Sequence, residues 1–214
     1  MAGPSQRQRW RLRWARRLRR GGATPNRVSW AGIGCALLAA LMFYLALSAP
    51  TREGALPLLL AILGLQGRLW CNRMDGVLAR SAGLVSRAGE VYNDAPDRLS
   101  DVLICLGLGY GLQASVPWAP QLGWAAALCC VSTAYVRVLG LACGVVEPRQ
   151  GPMARAHRMH WLSLATLLAL PLQWLGSSEQ AAWVLLGALA VLTAGAVVTV
   201  VRRLRAIVRA LEWT

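Results

Sequence analysis

Five of the chain's nine acids fall between residues 71 and 102, in the run CNRMDGVLARSAGLVSRAGEVYNDAPDRLSDV: Asp75, Glu90, Asp94, Asp97 and Asp101. Their intervals are helical. On an α-helix Asn72, Asp75 and Ala79 share one face, and Asn93, Asp97 and Asp101 share another. Two helices meeting at their ends would bring these carboxylate and carboxamide oxygens into one space. Such oxygens suit Mg²⁺ or Mn²⁺, together with a substrate phosphate. Gly76 and Gly89 let a bulky ligand approach the backbone closely, and Arg80 suits bidentate contact with a phosphate. A solvated loop whose acids offset nearby arginines is the plainer alternative. The helical intervals argue against it.

The elements that position these residues are apolar and long. Of 214 residues 56% are hydrophobic, with 10 Trp and a single Phe. The net charge of +14 comes from 23 arginines, because the chain has no lysine. These arginines alternate with apolar segments, which points to anionic lipid headgroups and away from nucleic acid as the partner. Six stretches approach the roughly 20 residues a bilayer crossing needs: 28–49, 54–71, 95–113, 119–143, 161–176 and 180–201. The fifth is short and carries Pro171, and the third carries Asp97 and Asp101 near its start. The fold class expected is therefore all-α, a bundle of six transmembrane helices. Residues 7–20 hold eight arginines and no acid, with Trp10, Trp14 and Leu18 at helical spacing. That pattern reads as an amphipathic helix lying in the membrane interface.

Charge sets the orientation. The arm up to Arg27 holds nine arginines, 68–98 five, 144–160 three and the C-terminal tail four, whereas the opposite loops hold only Arg52. Both termini and the acidic stretch are expected on the cytoplasmic side. Trp30, Trp118, Trp161, Trp174 and Trp183 fall near segment ends, as an aromatic belt requires. The organisation expected is an Arg-rich arm at 1–27, a six-span domain at 28–201 and a basic tail at 202–214. Arg-only, Ala- and Gly-rich usage points to a GC-rich bacterial genome, hence to the inner (cell) membrane. Five of the six cysteines lie in apolar runs and none forms a C-x-x-C pair, so they read as small buried residues.

The acidic stretch has a sharper likeness. The order Asn72-x2-Asp75-Gly76-x2-Ala79-Arg80-x8-Gly89-x3-Asn93-x3-Asp97 resembles the signature of the CDP-alcohol phosphatidyltransferase family, D-x2-D-G-x2-A-R-x8-G-x3-D-x3-D. Every spacing is kept. The departures are Asn72 and Asn93, where the signature has Asp. The resemblance implies displacement at phosphorus: an alcohol attacks a CDP-linked donor, such as CDP-diacylglycerol, and CMP leaves. It also implies that Asn72, Asp75 and Asn93 occupy the positions of ligands to a pair of Mg²⁺ or Mn²⁺ ions. Asp97, also a candidate ligand, stands at the position of the base on the alcohol, and Gly76, Ala79, Arg80 and Gly89 at donor-binding positions. A homodimer is implied as well.

Arg137 sits inside an apolar stretch, where it can meet an acceptor phosphate, pair with an acid such as Asp101, or snorkel to the interface. Arg155, His157 and Arg158 fall on the same side as the signature, suited to a substrate phosphate or to lipid headgroups. Two other functions stand beside phosphatidyl transfer. One is a non-catalytic member that binds CDP-lipid, favoured by the two asparagines. The other is a small transporter, disfavoured because the acids lie at one membrane face and no inverted repeat is evident.

Overall fold

The computed structural model describes residues 6–48, 52–81, 89–145 and 151–212. These form helices α1 (Gln6–Arg20), α2 (Pro25–Ser48), α3 (Ala55–Ser81), α4 (Gly89–Gly111), α5 (Ala119–Ala142), α6 (Arg155–Trp174) and α7 (Ser178–Glu212). Short 3₁₀ turns at Arg52–Gly54 and Leu112–Ala114 precede α3 and follow α4. There is no strand among the described residues. Helix α2 starts where chemistry says it should. Thr24 accepts the backbone N–H of Arg27 on its hydroxyl at 3.3 Å, and Pro25 takes the first helical position, where its missing N–H costs nothing.

Helices α2 to α7 close into a ring: α2 packs on α3 and α4, α4 on α5, α5 on α7, α7 on α6, and α6 on α3. Leucines fill its centre, among them Leu58, Leu65, Leu108, Leu162, Leu185 and Leu189, each fully buried. Close approach depends on small residues. A Cβ on Gly107 would run into the Ala40 backbone on α2, so α2 and α4 touch main chain to side. The lipid-facing surface is apolar, with Leu37, Leu63, Leu128 and Leu167 more than half exposed. This is a multi-pass membrane protein.

Among the described residues four helices are long and apolar enough to cross a bilayer: α2, α5, α7 and the Arg52–Leu78 stretch that takes in most of α3. Helices α4 and α6 match the position of the third and fifth expected spans, but charge dilutes their hydropathy. The observed helices are longer than the apolar runs that announced them. Helix α3 continues past residue 71 to Ser81, α6 starts at Arg155 rather than 161, and α7 runs on to Glu212 through the arginines of the tail. Backbone hydrogen bonding does not stop where the membrane does, so polar helix ends project beyond it. All six cysteines are free.

Helix α1 lies against the end of α3. Ala15 is buried, and Trp14 and Leu18 pack on a small cluster of Val28, Cys71, Met74 and Leu78. Trp14 meets Trp70 edge-on at 6.2 Å between centroids, and Arg17 lies over the Trp14 ring. Trp30, Trp118, Trp174 and Trp183 are more than half exposed, as a belt needs. Trp161 instead turns inward and donates its indole N–H to the Ala188 carbonyl on α7 at 3.0 Å.

Candidate active site

The start of α2, the end of α3, the start of α4, the end of α5, the start of α6 and the end of α7 meet at one end of the ring. The signature is thereby split between two helices. Asn72, Asp75 and Gly76 lie on α3, and Gly89, Asn93 and Asp97 on α4. Helix α4 runs through Pro96, its eighth residue, where proline removes one intrahelical hydrogen bond.

Asp75 is 4% exposed and Asp97 is 1% exposed. Asp75 accepts the Ser29 hydroxyl of α2 at 3.0 Å and the Gly76 N–H at 2.6 Å. Asp97 accepts the Asn72 carboxamide N–H₂ on both oxygens, at 2.9 and 3.1 Å, and the guanidinium of Arg68. The structure thus brings Asn72, Asp75 and Asp97 together. Ala79, Arg80, Gly89, Asn93 and Arg155 lie on helical backbone, but their side-chain surroundings, like those of Glu90, fall outside the described residues.

Three of the four acids on α4, Asp94, Asp97 and Asp101, fall on successive turns, and each meets an arginine from a different helix. Asp94 takes Arg137 of α5 at 2.7 Å and Arg98 of its own helix at 3.0 Å. Asp97 takes Arg68 of α3. Asp101 takes Arg158 of α6 at 2.6 Å, in a pair that is 4% and 3% exposed. Of the roles open to Arg137, pairing with an acid is the one seen, with Asp94 rather than Asp101. Asp94 and Asp101 are two turns apart on one face of α4, about 10 Å along its axis, so Asp94 meets Arg137 on α5 and Asp101 meets Arg158 on α6. Arg158 also donates to Thr133 at 3.1 Å and to the Met153 carbonyl at 3.2 Å, while Arg203 of α7 donates to the Thr133 carbonyl at 2.7 Å. His157 is exposed and contacts the Pro152 carbonyl at 3.1 Å. His160 contacts Arg73 at 3.0 Å, tying α6 to α3.

Sequence reasoning missed Arg68 and Ser29. Arg68 is one turn before Asn72 on the same face, an ionisable residue in an apolar run, and that combination alone marks a functional position. Ser29, one turn after Pro25, carries no comparable signal. Arg68, Asn72 and Asp101, with Leu69, Ala156 and Met159, line a small opening between α3, α4 and α6.

Asp75 and Asn72, one turn apart, supply hard oxygen donors of the kind Mg²⁺ and Mn²⁺ take, so a divalent cation fits here. The set is sparse in charge: no group of three or more His, Cys, Asp or Glu able to hold a metal occurs among the described residues.

The family model for CDP-alcohol phosphatidyltransferases matches residues 23–204. The chain belongs to this family. A curated relative, the archaetidylinositol phosphate synthase of Pyrococcus horikoshii, is 34% identical over 90 residues, which is 42% of this chain and 43% of that protein. The match thus spans less than half the length of that relative. The fold is that of the Mycobacterium tuberculosis phosphatidylinositol phosphate synthase. Its structure with CDP-DAG bound gives a TM-score of 0.72 at 20% identity, covering 93% of this chain and 94% of that one. Its structure with manganese and citrate gives 0.71 at 20% identity, covering 92% and 88%.

Proposed function

We propose that this protein transfers a phosphatidyl group from CDP-diacylglycerol to an alcohol and releases CMP. The observation that carries the proposal is the meeting of Asp75 and Asp97 from two halves of the family signature, on α3 and α4, at one polar end of an apolar helical ring. Both the archaeal and the mycobacterial relatives are named for making inositol phosphate lipids, so a polyol phosphate heads the acceptors to be tried.

The acceptor oxygen forms a bond to the phosphorus bearing the diacylglycerol, the bond from that phosphorus to the CMP oxygen breaks, and the hydroxyl proton passes to Asp97. Asp75, with Asn72 and Asn93, would hold Mg²⁺ or Mn²⁺, which offsets the charge of the pyrophosphate when bound. Gly76, Ala79, Arg80 and Gly89 stand at the donor-binding positions of the signature. Arg137 and Arg158, both tied to acids of α4, hold that helix in register. Arg155 and His157 are left for an acceptor phosphate or lipid headgroups. All six helices α2–α7 span the membrane, α1 lies in the interface with its arginines on anionic lipid, and both termini and the site face the cytoplasm of a bacterial cell. The domain is 28–201, flanked by the arm and the basic tail, and two chains pair as a homodimer.

Purified protein supplied with CDP-diacylglycerol, Mn²⁺ and a panel of alcohols and polyol phosphates should yield one new phosphatidyl lipid, identified by mass. No product with any acceptor would overturn the reading. A second reading, binding of CDP-lipid without turnover, is favoured by one observation: Asp97 is already engaged by Arg68 and Asn72. Nucleotide binding without product would select it.

A further inference from the structure

We propose that Arg68 is the site's resident cation, standing beside Asp97 in place of one of the two divalent ions that the signature implies, so that the chain carries a single divalent ion at Asp75. The inference rests on the phosphatidyltransferase reading and concerns how this chain meets the charge of that site.

Four observations converge on it. The Arg68 and Asp97 side chains are 5% and 2% exposed, so each is the other's compensation for leaving water. Two signature acids are neutral here, as Asn72 and Asn93. A second divalent ion would thus meet less negative charge and, at Asp97, a like charge already in place. The Asn72 carboxamide donates its N–H₂ to both Asp97 oxygens, so these oxygens are already engaged where a second ion would bind. Finally, space is reserved for the guanidinium. A Cβ on Gly32 of α2 would come within 3.2 Å of the Arg68 Nη1 and 3.3 Å of the Cys71 Cβ, so the residue facing Arg68 carries no side chain. Arg68 also lines the opening at this site with Asn72 and Asp101. Arg68 acts through Asp97 and is a positioning residue. It fixes the carboxylate's orientation and charge without an exchangeable ion.

The test is a count of Mn²⁺ per full-length chain in detergent, by calorimetry and by electron paramagnetic resonance, with CDP-diacylglycerol present. The wild type should bind about one ion. Asn72→Asp alone should still bind about one, because Arg68 stays. Arg68→Leu combined with Asn72→Asp and Asn93→Asp should bind about two, and the two Mn²⁺ should show spin coupling. Two ions or none in the wild type, a second ion in Asn72→Asp, or no gain in a folded triple variant would overturn the proposal. If the triple variant does not fold, the wild-type count decides. The count does not depend on turnover, so absence of lipid product would sink the transferase reading while leaving this result readable.

Discussion

Asp97 and Asp101 are buried acids one turn apart on α4, and each is answered by an arginine from a different neighbour. Removing one member of a buried pair strands the other charge. Arg158→Leu should therefore lower stability by about 3–5 kcal/mol, read as an earlier unfolding transition in detergent, with Asp101→Asn close behind. Arg137→Leu should cost far less, on the order of 1 kcal/mol or under, because its pair with Asp94 is 30% and 34% exposed. The spacing of Asp75 and Asp97 was legible in the sequence because helical periodicity and motif spacing both live in the chain order. The arginine partners were not. Arg68, Arg137 and Arg158 choose their acids by the rotational register of α3, α5 and α6 against α4, which no local pattern encodes. Asn72 and Asn93 were visible as departures, but that one of them donates to Asp97 could not be read from spacing.

At the scale of elements, apolar runs located each of α2 to α7 and misjudged their ends. The apolar run behind α3 ends near residue 71, while helical spacing alone put Asn72, Asp75 and Ala79 on one helix face; the two are parts of one unbroken helix to Ser81. Polar ends of membrane helices are invisible to a hydropathy argument, and the site is built from them. Contact between α2 and α4 turns on a missing side chain. Gly107→Leu should push them apart and cost about 1–3 kcal/mol or more, while Gly34→Leu, with open space around it, should be far milder. The comparison of the two melting curves checks this. Helix α1 was expected to lie in the interface, and its seat on α3 through Trp14 and Trp70 was not foreseen. Trp70→Ala should loosen that seat and raise hydrogen exchange in α1 without unfolding α2–α7.

At the scale of the molecule, six of the seven described helices, α2 to α7, form a ring that brings Asn72, Asp75, Asp97 and their arginine partners to one end. If that end is cytoplasmic, exposed Cys143 at the close of α5 should react with a membrane-impermeant thiol reagent in inverted vesicles and be protected in right-side-out ones. The reverse pattern would invert the topology. All-helical architecture followed directly from composition and run lengths. Ring closure did not, because the neighbours α3 and α6, or α5 and α7, are distant in the chain. The central claim is that Asp75 and Asp97 serve a reaction releasing CMP from CDP-diacylglycerol. It is tested most directly by measuring metal-dependent CMP release in wild type, Asp75→Ala and Asp97→Ala, each shown to fold by its melting curve. The wild type should release CMP, and both variants should lose about 10²-fold or more of that rate. Undiminished release from folded Asp97→Ala would contradict the claim.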